Sequence, residues 1–282
     1  MRVVSTQKSQ ILAIGIAKSL GLDFVPTIYS RFPDGEHYLK TGRLDGETIV
    51  VGSLTDSDSL VQLLLLLDAC EGSECTLVLP YMGYARQDKR FNEGEPISAR
   101  AIAGALGRMA CRVITVHVHE PKILVHFRVD ATNVSLGREI GSCLASRGLE
   151  NPIILAPDGG AVGLARSIGS EGGWETDHLI KTRLSGTEVK IAPKELDVKS
   201  REVVIVDDII STGGTIVQAA MMLREQGASS IHAICVHGVF ASNAYSQLKE
   251  AGISEILASD TIESGLSKYT AAEGIARAIE GC

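Results

Sequence analysis

Short apolar runs alternate along the chain with longer segments of helical periodicity. Val203–Val206 is a β-branched run without a polar residue, which is typical of a buried parallel strand. After a turn of small residues, apolar side chains recur at helical spacing from Ile216 to Leu223, and Gly227 is expected to end that helix. The pattern therefore predicts a strand, a tight turn and a helix in direct succession.

The same succession recurs through the whole sequence. Strands are predicted at 2–5, 24–28, 47–52, 76–80, 112–120, 153–156, 203–206, 231–236 and 255–257. Helices are predicted at 9–20, 56–70, 95–110, 135–147, 161–169, 216–227, 242–252 and from 270 onward. Alternating strands and helices predict an α/β fold, with mainly parallel sheets that helices flank on both faces.

Two domains are expected, because 282 residues suffice for about two of the usual size. Gly148 ends one predicted helix, and Asn151-Pro152 starts the chain again. We place the boundary there, with an N-terminal domain at 1–149 and a C-terminal domain at 150–282. Packing of the last helix on the N-terminal domain is left open.

Composition excludes several classes of protein. The net charge of −7 argues against a general nucleic-acid binder. The longest apolar run, near Leu63–Leu67, is too short to cross a membrane, and the first residues lack the apolar region of a signal peptide. The six cysteines lack zinc-type spacing and are expected to be reduced thiols. These features predict a cytoplasmic protein.

The first candidate site follows the strand at 203–206. Asp207 and Asp208 come directly after it, and Ser211–Thr215 supplies a turn of small residues before the helix. Backbone N–H groups of such a turn, together with the helix dipole, suit a phosphate. The carboxylates suit sugar hydroxyls or a bound cation. A sugar phosphate satisfies both requirements, whereas the simpler alternative is a solvated turn with two surface acids.

Clustered cations would balance an anionic ligand in this acidic chain. Arg86, Lys89 and Arg90 lie within five residues after a predicted strand, beside two tyrosines. Lys181 and Arg183 occupy alternate positions, so an extended arm would point them to one side, and Ser185-Gly186 suggests a mobile hairpin. A solvated charged loop and a polar strand edge remain the alternatives for these two segments.

Two further segments carry residues of the kind found in metal sites. Asp158 and Gly159-Gly160 follow the strand at 153–156, where glycine allows close approach to a phosphate and the acid could carry magnesium. His117 and His119 alternate in a predicted strand and would share one face. Without a third ligand, we do not assign this pair to zinc, because strand histidines more often make ordinary hydrogen bonds.

The segment Val206–Thr215 resembles the phosphoribosyl-diphosphate loop of the type I phosphoribosyltransferase fold. Five segments in the same order and with similar spacing extend the resemblance to the ribose-phosphate diphosphokinase family, namely 31–36, 80–88, 95–100, 156–160 and 206–215. The length, without long insertions, resembles the archaeal type of that family. The resemblance implies two tandem phosphoribosyltransferase-like domains, each a mainly parallel sheet flanked by helices.

The resemblance also implies roles for individual residues. The implied ATP-binding residues are Phe32, Asp34, Gly35, Glu36, Arg86, Gln87 and Asp88. The loop at 32–36 reaches into a neighbouring subunit in the family and holds adenine there. The implied ribose 5-phosphate residues are Arg183, Asp207, Asp208, Ser211, Thr212, Gly213, Gly214 and Thr215. Lys181 and Arg183 are the implied catalytic cations, and His119 and Asp158 the implied ligands of Mg²⁺.

The implied activity is that of a ribose-phosphate diphosphokinase for nucleotide biosynthesis. The enzyme would transfer the β,γ-diphosphate of ATP to the anomeric hydroxyl of D-ribose 5-phosphate, giving 5-phospho-α-D-ribose 1-diphosphate and AMP. Mg²⁺ is the implied cofactor, and a homo-oligomer, a dimer or larger, follows from the shared ATP site. One departure is His117, where many members have an acid, so a metal-binding role for residue 117 is not implied.

Two rival functions stay open at this point. A nucleobase phosphoribosyltransferase would share the loop at 206–215, but the paired domains and the cluster Tyr84–Gln87 count against it. A regulatory relative without activity would have lost arm or loop residues, yet Lys181, Arg183, His119 and Asp158 are all retained. Release of AMP separates the predicted enzyme from both.

Overall fold

A computed structural model describes residues 1–44, 46–183, 189–191 and 196–281. The strands are β1 (Arg2–Ser5), β2 (Asp23–Phe24), β3 (Thr27–Arg31), β4 (His37–Thr41), β5 (Glu47–Val51), β6 (Glu74–Leu79), β7 (Arg112–Val116), β8 (Asp130–Val134), β9 (Ile153–Ala156), β10 (Thr176–His178), β11 (Lys181–Arg183), β12 (Val189–Ile191), β13 (Glu202–Ile210), β14 (Ser230–Gly238), β15 (Glu255–Ser259) and β16 (Ser267–Tyr269). The helices are α1 (Gln10–Leu20), α2 (Ser57–Asp68), α3 (Ser98–Leu106), α4 (Gly137–Ala145), α5 (Val162–Gly172), α6 (Gly214–Glu225), α7 (Ala244–Glu250) and α8 (Ala272–Glu280).

The first compact unit contains residues 1–134, 260–263 and 270–282. Its sheet has the strand order β2-β1-β5-β6-β7-β8, and every neighbouring pair is parallel. A separate antiparallel hairpin joins β3 to β4. Leucine and valine side chains dominate its buried core, as the low aromatic content of 4% requires.

Two segments from the C-terminal part of the sequence, 260–263 and 270–282, complete this unit. Helix α8 packs on α1, and a Cβ at Gly15 would lie 3.1 Å from the Ala272 Cβ, so the helices are in close contact. The Arg112 guanidinium donates hydrogen bonds to the carbonyl oxygens of Ala278 and Ile279, at 2.8 and 3.1 Å. The segment 260–263 adds a bond from the Leu12 N–H to the Glu263 carboxylate, at 2.8 Å.

The second compact unit contains residues 135–259 and 264–269. Its sheet has the strand order β10-β9-β13-β14-β15-β16, again with parallel neighbours. A second antiparallel hairpin pairs β11 with β12. Two parallel sheets with helices between their strands confirm the predicted α/β architecture.

The division between the units differs from the predicted boundary at 149/150, since it falls between Val134 and Ser135. Helix α4 packs tightly on α5 of the second unit, where a Cβ at Gly137 would lie 2.0 Å from the Ser167 Oγ. Helix α8 belongs to the first unit. The predicted boundary rested on the residues at 148–152, and their composition does not reveal that α4 packs on α5.

Three predicted strands need correction. The segment 24–28 contains two strands, because β2 ends at Phe24 and β3 begins at Thr27. Strand β7 ends at Val116, so the histidines at 117 and 119 do not share a strand face; His117 itself has a left-handed φ of 42°. Strand β13 runs beyond Val206 to Ile210 because it stays paired with β14, as Ile210 pairs with Gly238.

Within the described residues, no helix is long and apolar enough to span a membrane. The longest described helices, α2 and α6, have 12 residues each, too few to cross the apolar core of a bilayer.

The start of α2 is fixed by a reciprocal cap. The Asp56 carboxylate accepts a hydrogen bond from the Ser59 N–H at 2.8 Å, and the Ser59 hydroxyl oxygen accepts one from the Asp56 N–H at 3.0 Å. Burial raises the pKa of Asp56, but hydrogen bonds from Lys8 and the Ser59 N–H outweigh it, so the pKa falls from 3.8 to about 2. The charged carboxylate therefore stabilises the folded state.

We expect Asp56→Ala to lower the free energy of unfolding by about 1 kcal/mol, because the helix loses its cap. Asp56→Asn keeps a capping oxygen and should lose less. Since the folded pKa is depressed, the contribution of the Asp56 charge is present above pH 3.8 and is lost as the pH falls towards 2. Urea titrations across this range measure it, and equal midpoints for Asp56→Ala and the parent chain would refute the cap.

Candidate functional site

The phosphate-type turn lies where β13 meets α6. Strand β13 ends at Ile210, Ser211 to Gly213 form the turn, and α6 starts at Gly214. Gly213 has a left-handed φ of 77°, a conformation that favours glycine over any residue with a Cβ. Its carbonyl accepts the first helical hydrogen bond, from the Val217 N–H at 2.9 Å. The free backbone N–H groups of the first helical turn make this end of α6 suitable for an anion.

Three carboxylates gather at the same edge of the second sheet. Asp207 and Asp208 are the sixth and seventh residues of β13, and Asp158 follows the neighbouring strand β9. Burial is the main cause that raises the pKa of Asp207 well above 3.8, and the charges of Asp208 and Asp158 raise it further. The three groups therefore interact through space, as expected at the carboxyl ends of adjacent parallel strands.

Backbone hydrogen bonds hold these side chains in place. The Asp207 carboxylate accepts from the Asp208 N–H at 2.9 Å, and the Asp208 carboxylate accepts from the Ile209 N–H at 2.8 Å. The Asp158 carboxylate accepts from the Gly160 N–H at 2.9 Å and so caps the short turn after β9. Carboxylate oxygens can accept hydroxyl hydrogens or bind a hard cation.

The carboxylates match the ligand preference of Mg²⁺, which binds protein through one or two carboxylates and takes its other ligands from water and phosphates. Mutual repulsion, visible in the raised pKa of Asp207, would be relieved by a cation. Among the described residues, no cluster of three protein ligands is present. The donor set therefore fits a cation that a phosphorylated ligand helps to hold, rather than a site closed by protein alone.

The arm that carries the two predicted cations starts beside this edge. Leu179 is buried, and its N–H donates to the Ala156 carbonyl at 2.9 Å, so the chain leaves the sheet next to the end of β9. Lys181 then pairs with Ile191, and Arg183 pairs with Val189, in the hairpin β11–β12. Strand β12 contacts α6, the helix that follows the phosphate-type turn. The predicted hairpin break at Ser185-Gly186 lies outside the described residues.

In the first unit, the cationic loop after β6 is fixed on both sides. A Cβ at Gly83 would lie 2.1 Å from the Leu54 carbonyl oxygen, so only glycine fits there. The Tyr84 hydroxyl lies 3.0 Å from the Ser57 hydroxyl at the start of α2. Arg86 is exposed, and Gln87 and Asp88 are half-buried. The loop thus presents its charged residues from a rigid base.

Ser98, the first residue of α3, supports this loop and was not singled out from the sequence. Its hydroxyl donates to the Tyr84 carbonyl at 3.1 Å and contacts the Gln87 Oε1 at 3.2 Å. The Ala99 N–H donates to the Gln87 carbonyl at 3.3 Å. A serine at the start of a predicted helix was the available signal, but its partners ten or more residues away could not be read from spacing.

His117 and His119 lie just past the end of β7. The His117 N–H donates to the Val134 carbonyl at 2.8 Å, which continues the pairing of β7 with β8 for one residue. Val118 is buried and its N–H donates to the Asn133 side chain at 2.9 Å, whereas His119 is exposed. His119 therefore lies at the surface beyond the end of β7, while His117 is partly covered by the fold.

The predicted loop 32–36 joins β3 to β4. The Phe32 N–H donates to the Glu36 carbonyl and the Gly35 N–H to the Phe32 carbonyl, both at 2.9 Å, and Gly35 has a φ of 97°. Phe32 is 50% exposed and packs edge-on against Tyr38, with ring centroids 5.7 Å apart. A closed turn with an exposed ring and two carboxylates can contact another molecule.

Comparisons with known proteins agree on one family. Residues 1–109 match the family model described as the N-terminal domain of ribose phosphate pyrophosphokinase. Residues 189–275 match the model described as the phosphoribosyl synthetase-associated domain. The two matches include the loops at 32–36 and 81–90 and the turn at 211–215.

Relatives align along almost the entire chain. The ribose-phosphate pyrophosphokinase of Methanosarcina mazei is 47% identical over 285 residues, which cover 100% of this chain and 96% of that protein. The one of Methanopyrus kandleri is 43% identical and covers 99% of each. The archaeal type of the predicted resemblance is thereby confirmed.

A solved structure supports the same assignment. The crystal structure of phosphoribosylpyrophosphate synthetase from Mycobacterium smegmatis superposes with a TM-score of 0.83 at 26% identity, covering 99% of this chain and 97% of that one. This likeness confirms the predicted phosphoribosyltransferase-like fold. On the relatives' identity and coverage, the chain belongs to the ribose-phosphate pyrophosphokinase family.

Proposed function

We propose that the two groups of residues described above bind the two substrates of the ribose-phosphate pyrophosphokinase reaction. In this reaction the enzyme transfers the β,γ-diphosphate of ATP to the anomeric hydroxyl of ribose 5-phosphate, which yields 5-phospho-α-D-ribose 1-diphosphate and AMP. The single observation that carries the proposal is the gathering of Asp158, Asp207 and Asp208 beside the N-terminus of α6.

The second unit is proposed to bind ribose 5-phosphate. Its 5-phosphate would lie on the backbone of Ser211–Thr215, where the turn and the start of α6 supply N–H donors. Asp207 and Asp208 would accept hydrogen bonds from the ribose hydroxyls, which can satisfy half-buried carboxylates without adding negative charge. This division keeps the carboxylates away from the phosphate they would repel.

The first unit is proposed to bind ATP. Arg86, Gln87 and Asp88 would contact the nucleotide from the loop after β6, which Ser98 holds in place. The loop 32–36 would hold the adenine of ATP bound in a neighbouring subunit, through Phe32, Asp34, Gly35 and Glu36. The exposed ring of Phe32 can stack on the base, and the carboxylates can accept hydrogen bonds from its amino group. The proposal therefore includes a homo-oligomer, a dimer or larger.

Lys181 and Arg183 are the proposed catalytic cations. The anomeric hydroxyl would attack the β-phosphorus of ATP in line, with AMP as the leaving group. Phosphoryl-type transfer depends on positioning and on neutralising charge in the transition state. Lys181 and Arg183 would supply that charge, and Arg183 would also contact ribose 5-phosphate.

His119 and Asp158 are the residues proposed to hold Mg²⁺. When bound, the ion would neutralise the phosphates and help orient them. Asp158 is already set for an oxygen-bound cation by its bond to the Gly160 N–H. A cytoplasmic location is part of the proposal, and it agrees with free thiols at the five cysteines in the described part of the chain.

An assay for AMP separates this function from its rivals. The chain should release AMP from ATP and ribose 5-phosphate when Mg²⁺ is supplied, and not when either substrate is left out. Formation of a nucleotide from phosphoribosyl diphosphate and a free base, without ATP, would favour a nucleobase phosphoribosyltransferase. Binding of both substrates without turnover would favour a regulatory relative.

We expect Lys181→Ala and Arg183→Ala each to lower kcat by about 10³-fold, since a transition-state cation is lost. Both variants should still bind ATP and ribose 5-phosphate, which isothermal titration can measure alongside the AMP assay.

Lys190→Ala provides the matched control for these variants. Lys190 belongs to the same hairpin but pairs with Thr182, so its position is out of phase with Lys181 and Arg183. Its turnover should stay close to that of the parent chain. Equal losses in all three variants would mean that the hairpin needs its charge in general, and normal turnover in Lys181→Ala and Arg183→Ala would remove the arm from the mechanism.

Asp207→Asn should make the folded chain more stable but weaken its binding of ribose 5-phosphate. The folded pKa of Asp207 is raised, first by burial and then by Asp208 and Asp158, so its stabilising contribution is complete below pH 3.8 and is lost as the pH rises through the folded pKa. Without ligands at pH 7, Asp207→Asn should therefore raise the free energy of unfolding by roughly 0.5–2 kcal/mol.

The same variant should bind ribose 5-phosphate much more weakly, because a carboxylate that accepts from its hydroxyls is gone. Asp23→Asn is the control, since Asp23 is exposed on β2 and should change neither quantity. Urea unfolding at pH 7 and at pH 3.5 measures the change in the free energy of unfolding. A lower stability of Asp207→Asn at pH 7 would show that the carboxylate is structurally required rather than strained.

A further inference from the structure

Both ends of the loop 32–36 lie against one carboxylate on a different element, and one of them is hydrogen-bonded to it. We propose that Asp58 is a positioning residue for ATP, which holds this loop in the conformation that receives adenine. The inference rests on the proposed function, because that function assigns the loop to the nucleotide. Asp58 itself would touch neither substrate.

Asp58 lies in the first turn of α2 and uses both of its oxygens. One oxygen accepts a hydrogen bond from the Arg31 guanidinium, and the other lies 3.4 Å from the His37 Nε2. Arg31 is the residue before the loop and His37 is the residue after it. The carboxylate therefore joins the two strand ends from which the loop projects.

Arg31 extends this link into the loop. The Arg31 Nη1 donates to the Gly35 carbonyl at 2.9 Å, while the Arg31 Nη2 donates to the Asp58 carboxylate. The hydrogen bond from Arg31 is the main cause that lowers the pKa of Asp58, so this contact favours its charged form. Asp58, Arg31 and the Gly35 carbonyl thus form a continuous chain from α2 to the tip of the loop.

Apolar packing does not replace this link. In the hairpin residues 27–31 and 37–41, which the structure describes in full, none is buried, and Ile28 and Tyr38 are 65% and 41% exposed. Beside the base of the loop lies a cavity of about 280 Å³ whose lining includes Arg31, His37 and Asp58. A hairpin without a core of its own depends on specific polar contacts for its orientation.

The middle of the hairpin is held separately. The Tyr29 hydroxyl donates to the Ser5 carbonyl, and Leu39 packs against the buried core of the first unit. Loss of Asp58 should therefore free the loop end while the hairpin stays folded. The expected consequence is weaker ATP binding, because the loop must then be ordered when the nucleotide binds.

Steady-state kinetics of Asp58→Asn tests this role. The amide keeps the shape of the side chain but removes the charge that pairs with Arg31. We expect the KM for ATP to rise about fourfold, because the pair is exposed, while kcat and the KM for ribose 5-phosphate stay within about twofold of the parent values. Asp58→Glu, which restores the charge, should recover most of the affinity for ATP.

Asp56→Asn is the matched control. Asp56 is the neighbouring carboxylate at the start of α2, but its ionic partner is Lys8, which lies outside the loop. A general effect of removing negative charge from the start of α2 would appear in both variants. Similar changes in KM for Asp56→Asn and Asp58→Asn, or equal changes for both substrates, would overturn the positioning role.

Phe32→Ala distinguishes the inference from the proposed function on which it rests. If Phe32→Ala raises the KM for ATP and Asp58→Asn does not, the inference fails and the assignment of the loop stands. If Phe32→Ala leaves the KM for ATP unchanged, the loop assignment fails and the inference fails with it. Where both variants raise it, the double variant should be little worse than Phe32→Ala alone, because Asp58 acts through the loop.

Discussion

Removal of neighbouring carboxylates from water is the constraint on which the candidate site of the second unit depends. Asp158, Asp207 and Asp208 stand close together at the edge of a sheet, and burial and mutual repulsion raise the pKa of Asp207. Pairing of β13 with both β9 and β14 holds the carboxylates there. A cation or a hydroxyl-bearing ligand at this edge would relieve the repulsion, so its binding would be favoured by an electrostatic cost that the folded chain already carries.

Turns, strands and helices were predictable from the sequence wherever they depend only on neighbouring residues. The small residues at 211–213 form the predicted turn before a helix, and Gly213 has the left-handed φ that favours glycine. The parallel sheets followed from alternating strands and helices, whose periods are independent of distant contacts. The ordered motifs pointed to the family, and aligned relatives confirmed it.

Features that depend on distant partners were beyond the sequence. Strand β13 extends past the apolar run because β14 continues to pair with it, so the aspartates lie within the strand rather than after it. The chain turns at His117 with a positive φ, which no histidine in an alternating pattern would suggest. The support that Ser98 gives to Gln87, and the packing of α4 on α5, join segments whose proximity only the fold creates.

The division of the chain has a consequence for biosynthesis. The second unit is made almost entirely of the continuous segment 135–259, whereas the first also needs 260–263 and 270–282. A nascent chain that emerges from its N-terminus therefore holds an incomplete first unit until α8 can dock on α1 and meet Arg112. The first unit is thus the first to be synthesised and the last to be completed. Its apolar surface that α8 covers must stay soluble while the second unit folds.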